Sequence, residues 1–469
     1  MLSGVKFIAV APAAALMLMS TGCALQSPQP VVPATPGAFV NLSSDELGHW
    51  PSSDWYQGFA SQELDRLIAQ AGSANLDLAA ARARLAQADA RARQAGAALL
   101  PSVDGGADGN FLAGHSNNGN AHETDWSALL SASYEVDFWG KNRATATAAK
   151  YLGAAARADR DTVALTTLAG VADGYFAVLS LQERLEVARL NRTAARGLLD
   201  AVAARFKAGM SNPVELATQK TVLANAESVI LDLQQREVEA RTALALLVGQ
   251  APEGFQVDPT PLAALTEPPI GAGLPSGLLT RRPDIYVAEA NLRAADANLV
   301  AARAAMLPSL SLTAAGGVQN PAMQAAVITL SGAGPTLNIG AGLMQTIFDG
   351  GRLRALRAEA QAKDEELVAA YRGAILAALV DVENSLSAIH HLEAMREFQN
   401  ESLAQSERAF EGAQLRYRQG SGDFLTLLEA QQIMYAARDQ YSQYRLARLQ
   451  ARVGLCKALG GGWHTENSP

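Results

Sequence analysis

Side chains able to make or break bonds are few in this 469-residue chain, and they are scattered. The six histidines are His49, His115, His122, His390, His391 and His464, and no two sit at the three- or four-residue spacing that puts two metal ligands on one helix face. His390 and His391 are neighbours, so on a helix their rings diverge by about 100°. His115 and His122 fall in a polar stretch that reads as an outer loop. No phosphate-cradling glycine loop, dinucleotide fingerprint or nucleophile elbow is present. The sequence therefore predicts no enzyme, no metal site and no bound cofactor. Two thiols remain, Cys23 and Cys456. Cys456 lies on the apolar side of a helical stretch and reads as a small core residue. Cys23 follows Ser20-Thr21-Gly22, and the chemistry open to it is acylation.

The residues before Cys23 support that chemistry. Lys6 precedes an apolar run from Phe7 to Met19, too short to span a bilayer and shaped like an export signal. A cysteine directly after small residues resembles a bacterial lipobox, in which the thiol is diacylated and becomes the first residue of the mature chain. The lipid on Cys23 would be the only attached group, and 1–22 the signal peptide. The alternative is an ordinary signal cut near Ala24 with an incidental cysteine. Ser20 departs from the lipobox, which usually carries Leu there. Ala24 favours sorting to the outer membrane, by resemblance to bacterial lipoproteins. With Cys23 lipidated, Cys456 has no partner for an intrachain disulfide.

Bulk composition narrows the function class. Apolar residues make up 49% of the chain but aromatics only 6%, a composition suited to closely packed helices. The net charge of −8 is modest, and Lys and Arg are interspersed with Asp and Glu, so nucleic acid is not a partner this sequence calls for. After the leader no stretch offers eighteen consecutive apolar residues, so a membrane-spanning role would have to use strands.

The elements come twice. Leu85-Ala88-Asp89-Ala90 with Leu100-Pro101-Ser102 reappears as Leu292-Ala295-Asp296-Ala297 with Leu307-Pro308-Ser309, an offset of 292 − 85 = 207. Arg205-Phe206-Lys207-Ala208-Gly209 returns as Arg416-Tyr417-Arg418-Gln419-Gly420, an offset of 416 − 205 = 211. Each copy contains a period-two block. Trp126, Ala128, Leu130, Ala132, Tyr134, Val136 and Phe138 alternate with Ser127, Ser131, Ser133, Glu135 and Asp137. Leu310 and Leu312, then Leu337, Ile339, Ala341 and Leu343, alternate with Ser309, Ser311, Thr336 and Asn338. Each strand is as long as a tilted membrane strand needs, about 9–11 residues, and aromatics stand near the ends.

Each hairpin is followed by a long proline-free stretch, from about Lys141 to Lys207 and from about Arg352 to Arg418. At about 1.5 Å per residue each would make a helix roughly 100 Å long. Gly209 through Pro213 and Gly420 through Asp423 supply the stop-and-start chemistry of a helical hairpin. The returning helices carry a seven-residue seam, Leu216, Gln219, Leu223, Ala226, Ile230, Leu233 in one copy and Leu427, Ala430, Met434, Ala437, Tyr441, Tyr444 in the other. Such a seam predicts coiled-coil packing.

The expected organisation is therefore a tether at 23–60, a first repeat at 61–250 with its hairpin at 99–138, and an equatorial connector at 251–283. A second repeat follows at 284–463 with its hairpin at 307–348, then a tail at 464–469. Four strands cannot close a membrane barrel, and open edges are not tolerated in lipid. Two chains would give eight strands with a side-chain-filled interior; three would give a conduit.

Gly273-Leu274-Pro275-Ser276, Arg281-Arg282-Pro283-Asp284-Ile285, Ala288–Pro308, Asp137-Phe138-Trp139-Gly140, the two tip segments and Leu459-Gly460-Gly461-Gly462-Trp463 together resemble the TolC-type outer-membrane factors, specifically the NodT-like efflux lipoproteins of RND-type pumps. The resemblance covers Trp55 to Trp463. It implies a mixed fold, mostly α, in which a homotrimer forms a 12-stranded outer-membrane β-barrel continuous with a periplasmic α-helical coiled-coil barrel. It also implies a periplasmic adaptor and an inner-membrane RND transporter as partners, and export of drugs or other small toxic compounds. By the same resemblance Leu425 occupies an apolar ring of the periplasmic gate and Glu429 its carboxylate position, often Asp in the family. Thr426 stands where some members carry a second Asp. Arg205, Gly209, Arg416 and Gly420 flank the tips as the adaptor-docking surface. Two other readings stay open: an exit duct for secreted polypeptides, and a lipid-anchored structural coiled-coil trimer.

Overall fold

The computed structural model describes residues 36–40, 50–116, 119–320 and 334–464. The signal peptide, Cys23 and residues 465–469 lie outside the described residues. The chain divides into two compact units, one built from Asp89–Leu152 and Asn291–Ala369, the other from Pro33–Ala88, Gly153–Ala290 and Ala370–Pro469.

Proline and glycine set the borders of the elements. Helices α1 (Gln62–Ala74) and α2 (Leu76–Ala97) precede strands β1 (Ser102–Ser116) and β2 (Gly119–Val136), then α3 (Lys141–Lys207) and α4 (Pro213–Leu247). Helix α5 (Pro283–Ala304), β3 (Ser309–Asn320), β4 (Gly334–Met344), α6 (Arg352–Arg418) and α7 (Phe424–Ala458) repeat the order. Helices α3 and α6 are each 67 residues long, as the proline-free stretches require.

The first unit holds one antiparallel sheet of order β1-β2-β3-β4. Its register brings every alternation into phase. Val103 faces Ala132, which faces Ala314, which faces Ile339. Likewise Leu310 pairs with Val136 and Leu343, and Leu312 with Tyr134 and Ala341. Directly opposed residues share a face, so one surface of the sheet is apolar along Val103–Phe111, Trp126–Val136, Leu310–Val318 and Leu337–Leu343. On the other face Ser102 pairs with Ser133, Ser133 with Thr313, and Ser311 with Gly342. Within the protomer the apolar face is uncovered: Leu130 is 63%, Leu337 74% and Ile339 80% exposed. Strands β1 and β4 are each paired on one side only among the described residues.

At the base of the sheet the chain departs from the simple alternation. Asp137 continues the polar series of β2 in the sequence, yet it lies beyond the strand and caps α3, accepting from the backbone N–H groups of Asn142 at 2.9 Å and Arg143 at 2.8 Å. Asp349 does the same for α6 through Gly351 and Leu353. A carboxylate at a helix start answers orphan donors and the positive end of the dipole. Phe138, Trp139, Ile347 and Phe348 are exposed beside these caps, and the Trp139 indole N–H donates to the Pro308 carbonyl at 2.8 Å.

In the second unit the seven-residue seams are realised. Leu223, Ile230, Leu233 and Leu244 are buried on α4, and Leu427, Met434, Ala437, Tyr444 and Leu455 on α7. Leu185 and Ala188 of α3 pack with Ile230 and Leu233. Among the described residues one helix, α3, also contains a window long and apolar enough to cross a membrane, and 44% of that window is buried. Cys456 is fully buried, and burial pushes its thiol well above the usual range.

The Arg-Arg-Pro-Asp stretch has a physical task in this unit. Arg281 lies over the Trp50 ring at 4.6 Å, while a Cβ on Gly273 or Gly277 would approach that indole to 2.3 or 2.9 Å. Arg282 is buried and donates to Asp284, Asp381 and the Ala458 carbonyl. The guanidinium is bidentate to Asp284 at the start of α5, and its single bonds to Asp381 and the Ala458 carbonyl tie the connector to α6 and α7. At the far end of α7, the Trp463 indole donates to Asp161 at 3.0 Å.

Candidate functional site

Both helical hairpins turn through the same local chemistry. Gly209 at φ 73° and Gly420 at φ 75° adopt the left-handed conformation that ends α3 and α6. Met210 N–H donates to the Arg205 carbonyl at 2.8 Å, and Ser421 N–H to the Arg416 carbonyl at 3.0 Å. With the Gly209 N–H donating to the Phe206 carbonyl at 3.0 Å and the Gly420 N–H to the Tyr417 carbonyl at 3.1 Å, each turn has the paired bonds of a Schellman motif, where a residue other than glycine is strained. Nothing lies within 4 Å of a Cβ built on either glycine. The conformation, rather than crowding, selects glycine. The next helices start on capping side chains: Asn212 accepts from Glu215 N–H at 3.0 Å, and Asp423 from Thr426 N–H at 2.9 Å.

The two turns differ above these shared features. Tyr417, Phe424, Leu427, Leu428 and Val202 form one buried cluster that joins both hairpins. Arg205 of the first hairpin stacks on the Tyr417 ring of the second, 4.9 Å from guanidinium carbon to ring centre. Arg205 Nε and the Tyr417 hydroxyl are both shielded and without hydrogen-bond partners. Of the four residues named for docking, Arg416, Gly209 and Gly420 are exposed, whereas Arg205 is half-buried in this strut. Nothing in the sequence of the tips distinguishes the two arginines.

Leu425 and Glu429 fall four residues apart on the side of α7 away from its seam. Leu425 is 72% exposed, Ile433 continues the strip at 57%, and Glu429 and Gln432 are exposed between them. Thr426 is committed locally, since its hydroxyl donates to Asp423 Oδ2 at 2.7 Å. Those hydrogen bonds from Thr426 hold the Asp423 carboxyl below the usual carboxylate range. Among the described residues no group of three or more His, Cys, Asp or Glu side chains is placed to hold a metal ion.

A further tie between the hairpins, distant in sequence, is the Arg184–Asp439 pair at 2.6 Å, with Ser442 and Arg445 both donating to Glu183 nearby. No local sequence pattern announces these contacts.

A four-stranded sheet with one apolar, uncovered face, repeated coiled-coil hairpins and a tip bearing an exposed apolar-acidic strip define an outer-membrane channel protomer. The comparisons with known proteins agree. The chain belongs to the outer membrane efflux protein family, whose profile matches it twice, at residues 67–250 and 274–461. It is 42% identical over 442 residues to the pyoverdine export outer membrane protein OpmQ of Pseudomonas aeruginosa, covering 92% of each chain. It is 40% identical over 461 residues to OpmQ of Pseudomonas putida, covering 96% of this chain and 97% of that protein. Among solved structures the outer-membrane channel OprN superposes with a TM-score of 0.84 at 27% identity, covering 94% of this chain and 99% of the other. The protein is an outer-membrane component of an efflux system, located in the outer membrane, and the family and its structural neighbours are transport proteins.

Proposed function

We propose that three copies of this chain form the exit duct of a tripartite RND-type pump, with a periplasmic adaptor and an inner-membrane transporter as separate partners. The observation that carries the reading is the sheet: one face apolar and uncovered, and two outer strands each paired on one side only among the described residues. In lipid those margins need partners, and three copies of a four-stranded sheet reach a barrel wide enough to conduct. Leu425 and Glu429 form the closed ring at the periplasmic end, Thr426 serves the helix cap beside it, and Arg416, Gly209 and Gly420 meet the adaptor. Arg205 contributes to docking by bracing the turn from inside. Cys23 carries the lipid anchor; no other cofactor is required. The relatives named for pyoverdine export make pyoverdine the first cargo to test. Deleting the gene in its own host and measuring secreted pyoverdine and retained antibiotics tests this. Cellular retention restored to normal by the wild-type gene supports the duct, and unchanged export of both classes refutes it.

A further inference from the structure

The two copies of the sheet base differ in how their cations are matched. In the first copy Lys141 pairs with Glu135 at 2.6 Å and Arg143 with Asp137 at 3.1 Å. The second copy keeps both cations, as Arg352 and Arg354 at an offset of 352 − 141 = 211, and Arg357 adds a third. It does not keep the acids. At the same offset Glu135 becomes Thr346 and Asp137 becomes Phe348.

The three arginines at the start of α6 are exposed. Arg352 has Asp349 beside it, whereas Arg354 and Arg357 have no carboxylate partner among the described residues. They stand three residues apart, so both guanidinium groups serve one side of the helix. Asp349 already accepts from the Gly351 and Leu353 N–H groups. The unmatched charge therefore belongs to the arginine side chains and not to the helix end.

This charge continues directly from the apolar face of the sheet. Leu343 closes the apolar series of β4, and Ile347 and Phe348 beyond it are 90% and 88% exposed. From Arg352 to Arg357 the helix rises about 7 Å, close to the roughly 5–8 Å of one headgroup layer. Arginine takes a phosphate through paired N–H groups, and basic side chains at a membrane surface favour acidic lipids. Phosphatidylglycerol keeps its negative charge, while the ammonium of phosphatidylethanolamine cancels its own phosphate.

We propose that Ile347 to Arg357 is a binding site for an anionic phospholipid of the periplasmic leaflet, with Arg354 and Arg357 on the headgroup and Ile347 and Phe348 against the acyl chains. The matched cations of the first copy do not select lipid charge. The site needs only the outer-membrane placement of the sheet and is independent of the gate and of the pump partners.

Full-length protein in an uncharged detergent is titrated with dioleoylphosphatidylglycerol or dioleoylphosphatidylethanolamine, and bound lipids are counted by native mass spectrometry. The parent should bind the anionic lipid at least about tenfold more tightly, and Arg354→Gln/Arg357→Gln should lose about 20-fold in that affinity. Arg354→Lys/Arg357→Lys and Lys141→Gln/Arg143→Gln should keep the preference. Equal binding of the two lipids by the parent overturns the site, including the case in which acids of a neighbouring copy already match the arginines. Equal losses from the two glutamine pairs overturn its placement in the second copy.

If Arg354→Gln/Arg357→Gln does not assemble, the parent alone decides. Raising ammonium acetate from about 50 to 500 mM should weaken the anionic lipid and leave the other unchanged, and an unaltered preference overturns the site. Glycerol phosphate, which has a phosphate but no acyl chains, should bind at least about tenfold more weakly than the anionic lipid. Equal affinity would assign the arginines to a free anion and overturn the membrane contact.

Discussion

An arginine placed at the centre of β4 separates the two faces of the sheet in one experiment. Strand β4 runs from Gly334 to Met344, which makes Ile339 its middle residue, and Ile339 is 80% exposed on the apolar face. Asn338 is adjacent and points to the polar face, opposite Ala315. On the lipid side an arginine at the bilayer midplane costs about 2–4 kcal/mol. Three copies carry three such arginines, so Ile339→Arg should destabilise the assembled barrel by about 6–12 kcal/mol, comparable to the whole stability of many proteins. Asn338→Arg faces the water-filled interior and should change stability by about 0.5 kcal/mol or less, while adding positive charge to the lumen. Urea unfolding in liposomes measures the stabilities, and anion-to-cation selectivity in planar bilayers measures the lumenal charge. Equal destabilisation by the two variants, or a greater loss from Asn338→Arg, would refute the assignment of faces.

Four further predictions follow from the tip, the helices and the leader. Arg205→Ala removes the stack on Tyr417, weakens the contact between hairpins by about 0.5–2 kcal/mol, and should raise leak current through the resting channel; unchanged leak removes Arg205 from the closed state. Glu429→Ala should increase vancomycin sensitivity of the host without loss of protein from the outer membrane, and wild-type sensitivity counts against the gate. Burial pushes the Asp173 carboxyl up to about 6, with Lys457 opposing, from 3.8 for an unburied group. The unfolded chain then loses its proton first, so stability falls as pH rises between about 4 and 6. Asp173→Asn should therefore stabilise by at most about 3 kcal/mol above pH 6 and by nothing below pH 4; an equal gain at both pH values contradicts the burial argument. Cys23→Ser should abolish incorporation of labelled palmitate, and retained label would point to another acylation site.

Much of the architecture was legible because periodic elements leave periodic sequences. The alternation from Trp126 to Val136 implied one buried and one wet face, and a one-residue slip would have mixed them. The absence of proline between Pro101 and Pro213 implied an unbroken helix, observed as α3. Asp137 shows where the period misleads, since polar-apolar alternation ran two residues, Asp137 and Phe138, past the strand and into a helix cap. The repeat misled in a different way. Phe206 and Tyr417 occupy equivalent positions, yet Phe206 is 39% exposed and Tyr417 4%. Burial there depends on how the hairpins meet, which neither copy encodes alone. The Arg184–Asp439 tie joins residues 255 apart, beyond the reach of any local pattern. The exposed strip of Leu425 and Glu429 was found through family resemblance, because a lone acidic residue on a helix carries little signal by itself.

The number of chains that close the barrel is the most direct test of this account. Native mass spectrometry of the protein extracted from outer membranes gives that number without mutation or ligand. A complex of three chains that also conducts in planar bilayers is the predicted result. A stable species of one or two chains, with no larger form, would contradict it.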